Sequence, residues 1–197
     1  MATNQVQPRM GNTGFIVFLA LLSAFVPLST DLYLPALPEM TKFFAVPEIV
    51  MNLTLILFFV FYSIATLFWG PLSDRYGRRP ILLIGLTLYM VASILCGIAT
   101  NAYEIIIFRV LQAIGGGVAT TIATAVIKDV FVGRKQETTL AIVQSMVVIS
   151  PAIAPVIGSL LLTFISWRGI FFAQALLGAS VIYGALIFKE THQANHE

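Results

Sequence analysis

Charged residues, cysteine and histidine are all scarce in this 197-residue sequence. Asp, Glu, Lys and Arg make up only 10% of it and hydrophobic residues 58%, which excludes an ordinary water-soluble domain. The single cysteine, Cys96, excludes a disulfide framework within the chain and is expected to be a packed, unreactive thiol. Two histidines, His192 and His196, occupy a polar tail, so we expect neither a metal site nor a catalytic site there.

Long apolar runs are the feature that the sequence has in abundance. A helix that crosses a hydrocarbon core of roughly 30 Å needs about 20 apolar residues. The runs are continuously apolar rather than alternating, which indicates helices and not a membrane β-barrel. The six predicted spans cover residues 14–34, 49–70, 81–100, 103–125, 139–165 and 167–188. We therefore predict an all-α membrane protein with a six-helix bundle at residues 14–188 and membrane lipids around it.

The placement of basic residues predicts the orientation of the bundle, because Lys and Arg accumulate in short cytoplasmic loops. With the N-terminus inside, the cytoplasmic side receives Arg9, Arg75, Arg78, Arg79, Lys128, Arg134, Lys135 and Lys189. The outer side receives only Lys42 and Arg168, while Arg109 lies within a span. We therefore predict cytoplasmic segments at residues 1–13 and 189–197, the second being a tail or the start of a linker to another bundle. The formal charge of +2 gives no reason to expect a nucleic-acid partner.

The segment between the second and third spans, residues 70–80, combines glycines, an acid and three arginines in the order GPLSDRYGRRP. We interpret it as a loop in which Gly70 permits close helix approach and Gly77 adopts the positive φ of a tight turn. Asp74 is expected to pair with a nearby guanidinium group or a helix N-terminus. Arg78 and Arg79 would anchor the loop at the inner surface. A plain cluster of positive charge would explain the arginines, but not the fixed order of the other residues.

This segment resembles the signature motif between helices two and three of the major facilitator superfamily. Residues 109–117, RVLQAIGGG, resemble the Arg-x-x-Gln-Gly motif of its fourth helix, with Ala113 in place of the usual glycine. Residues 150–159, SPAIAPVIGS, resemble its Gly- and Pro-rich antiporter motif, with Ala154 and Ser159 in place of glycines. Residues 28–38, LSTDLYLPALP, are similar to drug/proton antiporters of the bicyclomycin-resistance (Bcr/CflA) type.

The resemblance implies a transporter of two six-helix bundles around a central cavity, each bundle being a 3+3 inverted repeat. This chain would supply one bundle, and its partner would be a C-terminal half or a second copy of the chain. The implied function is export of small, partly hydrophobic compounds against inward proton flow across a bacterial cytoplasmic membrane, with protons as the coupling ion and no other cofactor. Asp74, Arg75 and Gly77 would help to close the cytoplasmic side. A nutrient symporter or uniporter of the same fold, or a non-transporting membrane subunit, remain alternatives.

Asp31 and Arg109 are the charged residues that lie deepest within the predicted apolar spans, where charged groups usually mark an ion or substrate route. Asp31 and Arg109 are predicted roughly 6 and 9 Å below the outer boundary at 1.5 Å per residue, so they could meet if their helices adjoin. Burial disfavours the charged carboxylate and a nearby guanidinium favours it, which makes the pair a candidate proton switch. Alternatively, Asp31 is an interfacial carboxylate without a transport role, and Arg109 a structural arginine that binds backbone carbonyls.

Two further faces complete the candidate site. Gln112, Gly116 and Thr120 follow Arg109 at offsets that place them on one side of the fourth helix, and we expect this side to look into the substrate cavity. A small-residue packing seam would explain it equally well. Residues Pro151, Pro155 and Gly158 share a face of the fifth helix, where missing backbone donors favour a bend that helps gating. Ordinary tolerance of proline in membrane helices is the alternative.

Overall fold

The computed structural model describes residues 11–190, apart from the side chain of Asn12. Within these residues the elements are helices α1 Gly11–Tyr33, a 3₁₀ turn Leu34–Ala36, α2 Leu37–Phe44, α3 Glu48–Tyr76, α4 Arg78–Ile98, α5 Ala102–Val130, α6 Arg134–Leu162 and α7 Trp167–Ile187. Helix α1 begins at Gly11, three residues before the predicted first span. Residues 1–10 and 191–197, with His192 and His196, lie outside the described residues.

The prediction of six membrane helices is confirmed, because six helical stretches of the described chain are long and apolar enough to cross a membrane. The first stretch is longer than predicted: α1, the 3₁₀ turn and α2 form one helical run, Thr13–Phe44. Two prolines, Pro35 and Pro38, do not end this run because each lies in the first turn of a new helical element. In a first turn the backbone N–H groups have no partner within the helix, so a proline there removes no hydrogen bond. The run ends at Ala45, which has a left-handed conformation.

The helices pack in the pattern of a 3+3 inverted repeat. Helix α1 packs on α6, α3 on α5, and α4 on α7, while α1 and α5 meet in the centre. In a 3+3 repeat, α1, α3 and α4 correspond to α5, α6 and α7. This exchange turns the α1–α6 contact into the α5–α3 contact, and it leaves the α4–α7 and α1–α5 contacts unchanged. Since each half contains three spans, the two halves cross the membrane in opposite directions. The repeat is therefore visible in the packing although the sequence shows no internal repeat.

Aromatic contacts define the two ends of the bundle. At one end, the Phe15 ring stacks on Phe131 and on Phe188, with centroids 6.1 Å apart in both pairs. These residues lie at the start of α1, after α5 and after α7, so this end also carries the basic residues of the α3–α4 and α5–α6 junctions; we call it the basic end. At the opposite end, Phe43 and Phe44 of α2 pack on Trp167, which begins α7.

Small residues let α4 and α5 approach closely in the middle of the bundle. A Cβ atom on Gly115 would lie 2.6 Å from the carbonyl oxygen of Gly85, closer than real Cβ contacts occur. The two backbones therefore touch directly at this point. This contact sets the position of α5, whose preceding turns carry Arg109 and Gln112.

Candidate functional site

Arg109 of α5 is completely buried in the membrane bundle. Its guanidinium carbon lies 4.5 Å from the ring centroid of Tyr33 on α1 and 4.3 Å from that of Phe58 on α3. Its Nη1 atom donates a 2.6 Å hydrogen bond to Oε1 of Gln112, one turn further along the same helix. Its Nε and Nη2 atoms have no hydrogen-bond partner among the described residues. The guanidinium cation is thus held by two aromatic rings and one amide oxygen, while its Nε and Nη2 donors remain without a partner among the described residues.

A chain of hydrogen bonds leads from Arg109 across three other helices. The Nε2 atom of Gln112 donates to Oγ of Ser93 on α4 at 2.7 Å and to Oε1 of Gln174 on α7 at 2.8 Å. Gln174 in turn donates from Nε2 to the backbone oxygen of Ser29 on α1, also at 2.8 Å. The hydroxyl groups of Ser29 and Tyr89 are hydrogen-bonded to each other. This buried chain ties α5, α4, α7 and α1 together.

The sequence predicted Arg109 and Gln112 as site residues but missed Tyr33, Phe58 and Gln174. Nothing in the sequence pairs the two rings with the arginine, because all three lie on different helices. Gln174 did carry a usable signal, since a glutamine in the middle of an apolar span must find hydrogen-bond partners inside the protein.

Asp31 does not pair with Arg109 in this structure. The ion pairs of Arg78 are with Asp74 and Asp129, and within residues 11–190 Asp31 and Arg109 form none with each other. Asp31 is partly exposed on α1, whereas Arg109 is enclosed. The pairing that the sequence allowed is therefore not present in this structure, although the Nε and Nη2 atoms of Arg109 have no other hydrogen-bond partner among the described residues.

Gln112, Gly116 and Thr120 pack against other helices within the described bundle, and their place in a substrate cavity stays a prediction. Gln112 and Gly116 are buried, and a Cβ atom on Gly116 would lie 3.0 Å from Cγ2 of Val26 on α1. Thr120 is half-buried and hydrogen-bonds the Tyr62 hydroxyl at 2.7 Å. These residues pack in this way because the small residues of α5 let α1 and α4 close over this face. It is the packing seam that the alternative interpretation described.

Two apolar cavities open elsewhere on the described bundle. One, of about 370 Å³, lies between α3 and α5 and is lined by Phe61, Ile64, Ala65, Phe68, Trp69, Leu72 and Ile114. The other, of about 320 Å³, runs between α1 and α7. Trp69 donates from Nε1 to the backbone oxygen of Ile114 at 2.7 Å, which holds its ring in the wall of the first cavity.

The motif at residues 70–80 is not an extended loop, which corrects the sequence interpretation. Helix α3 continues through Gly70, Asp74 and Arg75 to Tyr76, and α4 begins at Arg78, so only Gly77 separates the two helices. The expected positive φ of Gly77 is confirmed at 96°. Within the described residues no close helix approach occurs at Gly70, because a Cβ atom there would meet only Cγ2 of Thr121 at an ordinary 3.8 Å.

Arg78 is buried rather than anchored at the surface, which is a second correction at this motif. Its side chain enters the basic end of the bundle, where Nε donates to Oδ2 of Asp129 at 3.0 Å and Nη1 donates to Oγ of Ser73 at 2.6 Å. Nη1 also lies 2.5 Å from Oδ1 of Asp74, so the predicted pairing of Asp74 with a guanidinium group is confirmed. These acceptors on α3 and α5 replace the water molecules that would solvate the Arg78 guanidinium group at the surface.

Glu190 completes the basic end. Its two carboxylate oxygens accept hydrogen bonds from the backbone N–H groups of Arg78 and Arg79, at 3.0 and 2.9 Å. A carboxylate at a helix N-terminus satisfies free N–H groups and complements the helix dipole. A Cβ atom on Gly77 would lie 2.9 Å from Oε2 of Glu190, so the glycine also makes room for this contact. Neither Glu190 nor Asp129 was singled out in the sequence, although both acids flank membrane spans beside basic residues.

The remaining motif residues keep more regular surroundings. Arg79 donates from Nη2 to the backbone oxygen of Leu186 on α7 at 2.6 Å. Arg75 lies over the Tyr76 ring, 5.4 Å from its centroid. Both places are at the protein surface or near it, as expected.

The proline-rich helix is continuous. Helix α6 includes Pro151 and Pro155 in its interior and continues to Leu162. Gly158 packs against α1, where an added Cβ atom would collide with the backbone oxygen of Leu32 and lie 3.3 Å from Pro35. The face predicted from the motif therefore includes a direct backbone contact between α6 and α1.

The described residues thus form a six-helix bundle with a 3+3 repeat, a buried arginine in its fourth span and a charged junction between its second and third spans. A family model described as Major Facilitator Superfamily matches residues 19–197. The chain belongs to the major facilitator superfamily.

Curated relatives of the chain are named for multidrug resistance. Multidrug resistance protein MdtL of Escherichia coli O9:H4 (strain HS) is 29% identical over 182 residues, which cover 92% of this chain and 46% of the relative. MdtL of Shigella flexneri has the same identity and coverage. The chain thus spans about half the length of the curated relatives it matches.

Solved structures share the fold. A proton:xylose symporter, XylE, matches with a TM-score of 0.76 and 14% identity, over 91% of this chain and 46% of the symporter. The human organic anion transporter MFSD10 matches with a TM-score of 0.70 and 18% identity, over 89% of this chain and 47% of the transporter. At such identities the likeness establishes the architecture alone.

Proposed function

We propose that this chain is the N-terminal bundle of a drug/proton antiporter that exports small, partly hydrophobic compounds. The observation that carries the proposal is the Arg109 guanidinium group, which is buried in a membrane helix with two nitrogen atoms unpaired among the described residues. Charged groups at such positions are expensive and usually functional. The similarity to relatives named for multidrug resistance supports export as the direction of transport.

Asp31 and Arg109 form the proposed proton-coupling pair. A buried guanidinium group gains most from an anionic partner, and Asp31 is the carboxylate of helix α1. When Asp31 is ionised it attracts Arg109, and when it is protonated this attraction disappears. Proton binding thereby shifts the balance between two arrangements of α1 and α5, which is what antiport requires.

A second six-helix bundle completes the proposed transporter, either as a C-terminal half or as a second copy of the chain. Helices α3 and α6 are the least enclosed of the six spans, so their exposed faces are the surfaces that a partner bundle would cover. The substrate cavity would lie between the bundles. The basic end would face the cytoplasm of a bacterium, because positive charge favours that side of the membrane.

Proteoliposome transport assays test this proposal. Vesicles that contain the chain alone, or the chain joined to a second bundle, are loaded with a lipophilic fluorescent cation and given a proton gradient in either direction. We expect gradient-driven efflux from vesicles with both bundles and its loss in Asp31→Asn. Movement only down the substrate's own gradient would identify a uniporter, movement with protons would identify a symporter, and the absence of movement in every preparation would leave a non-transporting subunit.

A further inference from the structure

We propose that Gln174 of α7 is a positioning residue for the Arg109 guanidinium group, and that it acts through Gln112. The inference rests on the proposed role of Arg109 in proton coupling. Helix α7 would thereby influence proton coupling, although none of its described residues is hydrogen-bonded directly to Arg109.

The two ends of the hydrogen-bond chain fix its direction. Arg109 can only donate, and the backbone oxygen of Ser29 can only accept. Between them lie two amides, Gln112 and Gln174, each with one accepting and one donating end. Only one arrangement satisfies both ends: each amide turns its oxygen toward Arg109 and its nitrogen toward Ser29. The observed bonds have this arrangement.

Gln174 is the residue that imposes this direction on Gln112. Its Nε2 atom is committed to the Ser29 oxygen, so its Oε1 atom faces Gln112 and requires a donor there. A rotated Gln112 amide would set nitrogen against the Arg109 donors and oxygen against Oε1 of Gln174. Each such contact leaves buried polar groups unsatisfied, which costs about 1–3 kcal/mol per group.

Arg109 depends on this single amide for its orientation. The Nη1–Gln112 bond is its one hydrogen bond within residues 11–190, and the two rings that cover it are attractive but do not fix rotation about the side chain. Holding Nη1 on Gln112 leaves Nε and Nη2 available for a carboxylate. A shift of α7 relative to α1 would break the hydrogen bond to Ser29 and leave the Gln174 amide free to rotate, which removes its constraint on Gln112.

Magnetic resonance of the guanidinium nitrogens tests the inference without any transport assay. The 197-residue chain is labelled with ¹⁵N-arginine and reconstituted in lipid nanodiscs, and the Arg109→Lys variant assigns the Arg109 signal. We expect one sharp signal displaced by the ring currents of Tyr33 and Phe58. In Gln174→Met this signal should lose its displacement or split, and Gln174→Leu provides a second replacement if the first folds poorly.

A double-mutant comparison separates positioning from general loss of packing. If Gln174 acts through Gln112, the Arg109 signal of the Gln112→Leu variant should not change further when Gln174→Met is added. Ser150→Ala is the control, because it removes a buried polar group that takes no part in the chain of hydrogen bonds, and it should leave the signal in place. Equal helical circular dichroism of all variants verifies that they fold.

Each outcome decides a different question. An unmoved signal in both Gln174 variants, or shifts in the double variant that equal the sum of the single shifts, would overturn the positioning role. If the signal follows the expected pattern while vesicles with both bundles fail to export, the positioning role stands and the proposed function fails. If export requires Asp31 but the Arg109 signal is unchanged in the Gln174 variants, the proposed function stands and the positioning role fails.

Discussion

The guanidinium group of Arg109 lies against the ring of Phe58, with 4.3 Å between the Cζ atom and the ring centroid. Both residues are fully buried, and they come from different helices of the membrane bundle. A desolvated cation over an aromatic face gains about 2 kcal/mol or more. This contact therefore compensates part of the cost of burying a charge that forms no ion pair among the described residues.

The first prediction concerns this ring. Phe58→Leu should lower the free energy of unfolding by about 2 kcal/mol or more, because it removes both the cation–π contact and buried area. Phe59→Leu is the matched control, since the Phe59 ring is 52% exposed on the same helix. Thermal unfolding in nanodiscs measures both. Equal losses in the two variants would contradict a specific contact with Arg109.

The second prediction concerns Asp31 as the principal protonation site. In a preparation that contains both bundles, Asp31→Asn should abolish efflux driven by a proton gradient, because the neutral amide of asparagine does not ionise and so cannot bind and release the coupling proton. Asp31→Glu keeps the ionisable group and should retain part of the transport. Efflux down the substrate's own gradient serves as the reference for correct folding. Full proton-driven transport by Asp31→Asn would refute the assignment.

The third prediction compares the two acids that hold Arg78 at the basic end. Asp129 is 23% exposed and Asp74 is 59% exposed, so the Asp129 pair is better shielded from water. Asp129→Asn should cost about 1–3 kcal/mol of stability, and Asp74→Asn less than about 1 kcal/mol.

Chemical denaturation of the two variants, with membrane insertion verified for each, tests this order. We expect both variants to transport more slowly in a preparation with both bundles, if the junction helps to close the cytoplasmic side. Unchanged accessibility of cysteines placed on that side, together with an unchanged rate, would reduce the motif to a topology signal.

The fourth prediction uses two glycines with opposite surroundings. Gly158→Ala should destabilise the bundle by about 1–3 kcal/mol, because the new methyl group collides with the backbone oxygen of Leu32, which cannot move independently of α1. Gly70→Ala should be neutral or slightly stabilising, since its methyl group would meet only Thr121 at 3.8 Å. Parallel melting curves of the two variants provide the comparison. Equal stability would show that α1 and α6 are free to separate at Gly158.

The fifth prediction concerns the one-residue junction between α3 and α4. Gly77→Ala must place an alanine at a φ of 96° and its methyl group 2.9 Å from Glu190, which together should cost about 1–3 kcal/mol. In the Glu190→Ala background the contact is absent, so the same substitution should cost less. The difference between the two backgrounds, measured by denaturation, isolates the contact. An identical cost in both would leave backbone strain as the whole effect.

The sequence by itself determined the number of spans, the basic end and the place of the motifs along the chain. These properties are local: a hydrocarbon core of fixed thickness selects apolar runs of one length, and charges at their ends follow the sides of the membrane. Arg109 and Gln112 were also identified locally, because polar groups inside an apolar run are costly wherever the helix packs.

Only the tertiary structure decided what these residues touch. Gln174 and Ser29 are 145 positions apart, and the rings around Arg109 come from two other helices, so no local pattern could pair them. The same limit explains why the sequence placed Arg78 at the surface: its partner Asp129 is 51 positions away and belongs to another helix. Hydrophobic length acts within one helix, whereas hydrogen bonds and close packing depend on which helices become neighbours.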